Sequence, residues 1–81
     1  MINKNILIIG SSGGIGKAFI NLYKKYDSNN KIVGLSRLDK EDQEFLDAHF
    51  FIDLEDEQSI KNAANEVKTY GPYQLIIVAT G

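Results

Sequence analysis

The segments 6–9, 31–35, 50–52 and 75–78 are short, mostly apolar and contain β-branched side chains. Such runs suit strands covered on both faces, as in a parallel sheet. Between them the period changes. Ile15, Ala18, Phe19, Leu22, Tyr23 and Tyr26 recur at helical spacing, and so do Ile60, Ala63, Ala64 and Val67. Lys24 and Lys25 fall in the last turn of the first helix, and Glu55, Asp56 and Glu57 stand at the start of the second. Those are the signs the helix dipole favours at each end. Residues 27–30, Asp-Ser-Asn-Asn, close the first helix. Gly71-Pro72 stops the second, the glycine as a left-handed cap and the proline as a residue that cannot continue. Asp39 is expected to cap a short helix over 40–47, with Phe45 and Leu46 turned inward. Strands alternating with one-stripe helices imply an α/β fold with a parallel sheet and helices on both faces. Right-handed crossovers then set the strand order 3-2-1-4, a partial Rossmann (doubly wound) sheet. The first strand is central, and its carboxyl end lies at the switch point where ligands of such sheets bind.

The glycine turn 10–16, Gly-Ser-Ser-Gly-Gly-Ile-Gly, follows the first strand and opens the first helix, the setting such a motif requires. Gly10 lets the chain turn sharply off the strand. Gly13 or Gly14 lets the backbone approach a pyrophosphate with no Cβ between. Gly16 lets the helix pack close to the sheet. Exposed N–H groups and the helix dipole attract phosphate there, and Ser11 and Ser12 are expected to add hydroxyl donors. Two other phosphate loops fail on spacing. Five residues separate Gly10 from Gly16-Lys17, and Ala18 follows, whereas a P-loop needs four and then Ser or Thr. Phe19 stands where G-x-G-x-x-G would need its last glycine.

Eighty-one residues, 43% of them apolar, allow one domain spanning 1–81 with a modest core. There is no cysteine, which agrees with a reducing compartment. The formal net charge of −2 gives no long-range attraction for nucleic acid or an anionic membrane. The first apolar run is too short for a signal peptide or a span. A soluble cytoplasmic protein is expected, with a dinucleotide as ligand and neither nucleic acid nor membrane as partner.

G-x-x-x-G-I-G through Gly10, Gly14, Ile15 and Gly16 resembles the cofactor turn of the short-chain dehydrogenase/reductase family. The same segment reads G-x-x-G-x-x-G through Gly10, Gly13 and Gly16, the spacing of that family's extended branch, so both branches stay open. The resemblance implies roles for further residues. Family members that prefer NAD usually carry Asp at the place of Ser36, at the end of the second strand. Ser36 removes a carboxylate that would repel a 2′-phosphate, and Arg37 offers that phosphate a bidentate fork. NADP is therefore expected over NAD, although Gly13 lacks the basic side chain many NADP-preferring members place there. Asp53-Leu54 matches the family's pair after the third strand, where the Asp accepts from the adenine amino group and the next N–H meets the ring. A local cap for the helix from about 56 is the plainer role for Asp53. Ala79-Thr80-Gly81 falls where the family usually has Asn-Asn-Ala-Gly; Val78 and Ala79 replace both asparagines.

The family's chemistry uses a Tyr with a Lys four residues on and a Ser upstream. Tyr23, Tyr26, Tyr70 and Tyr73 are followed at that distance by Asp27, Asn30, Gln74 and Ile77. Tyr23 and Tyr26 read as flanking the core, Tyr70 and Tyr73 as packed beneath a turn. His49, the only histidine, reads as a surface residue rather than a base. No catalytic residue and no metal ligand set is expected. The chain thus reads as the front portion of an oxidoreductase cut before its catalytic residues. A dinucleotide-sensing module without chemistry is the alternative. A methyltransferase taking an adenosyl cofactor is disfavoured by Ser36-Arg37. Strand 75–78 is expected at an apolar sheet edge, prone to self-association.

Overall fold

The computed structural model describes residues 4–11, 13–26, 29–37 and 46–79. Its elements are β1 (Asn5–Ile9), α1 (Gly14–Tyr26), β2 (Lys31–Ser36), β3 (Ala48–Phe51), α2 (Glu57–Lys68) and β4 (Leu75–Val78). The four strands form one parallel sheet in the order β3-β2-β1-β4, as the alternation of periods implies. Ile8 stands between Gly34 of β2 and Ile77 of β4, so β1 is flanked on both edges. The chain is an α/β fold of Rossmann type, and among the described residues one helix covers each face.

The core is split by the sheet. On one face Leu7, Val33, Leu35 and Ile52 pack with Ala63 and Val67 of α2. On the other Ile6, Ile8 and Ile32 pack with Ile20, joined by Phe19, Tyr23, Leu46, Leu75 and Ile77. β1 feeds both faces, which explains why its central residues are apolar without alternation.

Several expectations change in detail. The inward side of α1 carries Gly16, Phe19, Ile20 and Tyr23, whereas Ile15, Ala18 and Leu22 are exposed. In α2 the buried residues are Ser59, Ala63 and Val67, while Ile60 and Ala64 face outward. Gly71 is not a left-handed cap: among the described glycines only Gly10 has positive φ. Instead the N–H groups of Thr69, Tyr70 and Gly71 donate to the carbonyls of Glu66, Val67 and Lys68. This tight i→i−3 winding closes the helix without a left-handed residue. The Tyr73 hydroxyl donates to Val67 O at 2.6 Å beneath this turn. Burial, and after it the neighbouring Tyr70, raises the Tyr73 pKa, so the phenol stays a donor at neutral pH. Tyr70 is exposed rather than packed beneath the turn, its ring tilted against Phe50. Asp39 and most of the short helix expected over 40–47 lie outside the described residues; Leu46 and Asp47 are not helical. No helix among the described residues is long and apolar enough to cross a membrane.

At the amino edge of the sheet, Asp47 Oδ2 accepts from Ile32 N–H at 2.7 Å and pairs with Lys24 at 3.3 Å. Buried Asn30 accepts from Lys4 N–H and donates to Tyr23 O. These bonds tie the end of α1 to the strand starts.

Candidate functional site

Because all four strands are parallel, the segments after β1, β2, β3 and β4 emerge along one edge of the sheet. Gly10, Arg37, Asp53 and Ala79 are thereby gathered at the carboxyl edge, where α1 also begins. β1 and β4 are spatial neighbours joined through the whole intervening chain, so the strand order reverses between them. A crevice for a ligand arises at such a reversal.

The turn after β1 is anchored to β2. Gly10 has φ of 91°, a left-handed conformation available to glycine at little steric cost. Its N–H and that of Ser11 both donate to Leu35 O, at 2.7 and 3.1 Å. Ser11 is fully buried, and its hydroxyl faces the same carbonyl at 3.4 Å. Ser11 is thus packed under the turn, with its hydroxyl on Leu35 O rather than offered as a phosphate donor. Gly34 makes room for it: a Cβ there would lie 2.6 Å from Ser11 Oγ and 2.7 Å from Leu46 Cδ1. An isolated glycine inside a strand signals such an approach, and this signal went unread in the sequence. Ser12 lies outside the described residues.

The remaining glycines divide by what surrounds them. At Gly16 a Cβ would sit 2.2 Å from Gly10 O and 2.9 Å from Ser11 Cα. The close approach is thus to the turn's own backbone rather than to the sheet. At Gly13 a Cβ would make ordinary contact, 3.8 Å from Gly10 O. At Gly14 it would meet nothing within 4 Å. Gly14 is exposed, starts α1 and has no positive φ, so neither fold nor packing demands glycine there. Helix N–H groups in the first turn lack intrahelical acceptors, and those of Gly14 and Ile15 donate to no other described residue. Open space before such donors at a helix start suits an anionic group.

At the end of β2, Ser36 is buried and its Oγ lies 2.7 Å from His49 Nε2. His49 is thus no surface residue. β3 begins two residues ahead of the apolar run, which places His49 within the ladder opposite Gly34. Arg37 follows on an exposed bend at the end of β2. After β3, Ile52 N–H donates to Ser36 O at 3.0 Å and extends the ladder by one bond. Asp53 is not the helix cap: that role falls to Asp56, which accepts from Gln58 N–H at 3.1 Å. Asp53 Oδ1 instead accepts from Glu55 N–H at 3.0 Å, and Leu54 is exposed beside it. Ala79 is half-buried and donates its N–H to Ile9 O at 2.8 Å, which continues β4 along β1. Thr80 and Gly81 lie outside the described residues. The structure thus brings Gly10, Gly13, Gly14, Ile15, Gly16, Arg37, Asp53, Leu54 and Ala79 to one edge.

No protein-family model and no curated protein matches the chain. Among solved structures it is similar to a short chain dehydrogenase family protein from Francisella tularensis subsp. tularensis SCHU S4, with a TM-score of 0.81 and 26% identity. That match covers 99% of this chain and 32% of that one, so this chain spans about a third of the neighbour's length. The neighbour agrees with the family resemblance carried by the glycine turn.

Proposed function

We propose that this chain is the cofactor-binding portion of a short-chain dehydrogenase/reductase, taking NADP(H) in preference to NAD(H). The protein it represents transfers hydride between that cofactor and a carbonyl or alcohol. The reading is carried by Gly14: open space before a glycine that the fold does not require, at the start of α1 and beside the β1–β4 reversal. A pyrophosphate laid there meets backbone donors and the positive end of the helix. The adenosine end extends toward β2 and β3, where Arg37 meets a 2′-phosphate and Asp53 and Leu54 meet the base. Ser36 contributes by what it lacks. Its hydroxyl is engaged with His49, and position 36 itself carries no carboxylate to repel a 2′-phosphate. The bound cofactor would supply the hydride; this chain's residues hold and orient it.

Titration of the 81-residue chain with NADPH and NADH, followed by backbone amide shifts, tests the reading. Shifts should concentrate at 13–16, 37 and 53–54. Arg37→Ala should weaken NADPH by about tenfold, ~1.4 kcal/mol, and leave NADH nearly unchanged. Equal losses for both cofactors would remove the preference, and shifts scattered away from the glycine turn would remove the site.

A further inference from the structure

We infer that Ser59 is a positioning residue for Asp53, so that recognition of the adenine base depends on a hydroxyl buried behind the site. The inference rests on the dinucleotide reading above and adds to it a residue that reaches the ligand only through another.

Asp53 occupies the point where β3 gives way to the approach to α2. Its N–H has left the sheet ladder and finds no strand partner. Ser59 Oγ accepts it at 2.9 Å. The proton of the same hydroxyl faces Asp53 O at 2.8 Å and Asp56 O at 2.9 Å. One side-chain oxygen, from six residues further along the chain, therefore holds both backbone groups of Asp53. With Glu55 N–H on Oδ1, the peptide planes and one carboxylate oxygen are fixed together. The other carboxylate oxygen is bonded to no described residue. Nor does the Leu54 N–H donate to one.

This clamp exceeds what capping needs. Asp56 already caps α2, and the Ser59 bonds run back past it to Asp53. Ser59 is 6% exposed and occupies the inward line of α2 above Ala63 and Val67, where an apolar side chain would bury more oil-like surface. A buried hydroxyl at such a position is favourable when its hydrogen bonds are made, and here they are. The clamped pair presents an acceptor at Asp53 and a donor at Leu54. Adenine offers the matching amino donor and ring-nitrogen acceptor, whereas hypoxanthine reverses both. Discrimination of this kind is lost when the pair shifts by about half an ångström.

The test is an amide-shift titration of the full 81-residue chain with ADP and with IDP, which share the diphosphate and differ in the base. Wild type should favour ADP roughly tenfold, the scale of one hydrogen bond to a charged group. Ser59→Ala should bring that ratio to within about twofold while IDP affinity stays at its wild-type value, because the glycine turn still holds the diphosphate. A purely structural Ser59 would lower thermal stability and leave the ratio intact, which overturns the inference alone. A wild-type chain that binds both nucleotides equally overturns the base-binding reading and the inference with it. Should Ser59→Ala not fold, Ser59→Cys keeps the side-chain size with a far weaker donor and acceptor, and the same collapse of the ratio is expected.

Discussion

Gly14 and Gly16 are two residues apart in one motif, yet the structure gives them opposite reasons to be glycine. Alanine at 16 forces a methyl into Gly10 O and Ser11 Cα, backbone atoms that can yield only by opening the turn. Gly16→Ala should cost about 1–3 kcal/mol, the usual penalty of overpacking. Alanine at 14 enters open space in a helix whose φ it adopts without strain. Gly14→Ala should therefore raise stability by roughly 0.4–1 kcal/mol through the unfolded state. It should also cut dinucleotide affinity by about tenfold, because the methyl occupies the open space the diphosphate would approach. Urea denaturation and a cofactor titration on both variants separate the roles. A stabilised Gly14→Ala with unchanged affinity would mean that the space is simply unused.

At the scale of elements, the strands were legible because their runs are apolar on both faces, and burial on both faces is what β1 and β2 require. The helices were legible in extent but not in rotation. In α1 the sequence stripe centres on Ile15, Ala18 and Leu22, while the sheet meets Gly16 and Ile20. In α2 it includes Ile60, while the sheet meets Ser59. The true face of α1 lies most of one residue's roughly 100° away, and that of α2, which keeps Ala63 and Val67, about half as far. A contact at each amino end accounts for both. Gly16 lies against Gly10 O, and Ser59 is bonded to Asp53 and Asp56, so the carboxyl edge of the sheet sets the helix phase before the apolar residues do. Glycine and serine carry no weight in a hydrophobic pattern, which is why that reading missed them. The same blindness applied to Gly34, whose missing side chain shelters Ser11, and to the Ser36–His49 pair. The phase is testable. Ile20 is 5% exposed and Leu22 46%. Ile20→Ala should cost about 2–4 kcal/mol and Leu22→Ala less than about 0.5 kcal/mol. Equal penalties in thermal denaturation would restore the sequence stripe.

For the molecule as a whole, the sheet ends on β4. Its inner edge pairs with β1, and no described strand lies beyond it. The strand is Leu-Ile-Ile-Val, without the charge or proline that commonly blunts an edge. Leu75 and Ile77 join the core on the α1 face. Ile76 and Val78, which register with Leu7 and Ile9 on the α2 face, remain 56% and 65% exposed. Backbone donors and acceptors without a neighbour among the described residues therefore coincide with uncovered apolar side chains. We propose that two copies pair through this edge. Sedimentation equilibrium should show monomer at low micromolar concentration and a growing dimer fraction toward several hundred micromolar. Ile76→Lys should hold the chain monomeric across that range, because a cross-strand pair would then bring two ammonium groups close together and cover neither. Ile15→Lys serves as the control: it is equally exposed but sits at the start of α1, away from the edge, and should leave the association unchanged. A wild-type chain that stays monomeric throughout, or an association abolished by the α1 substitution instead, would place the contact elsewhere.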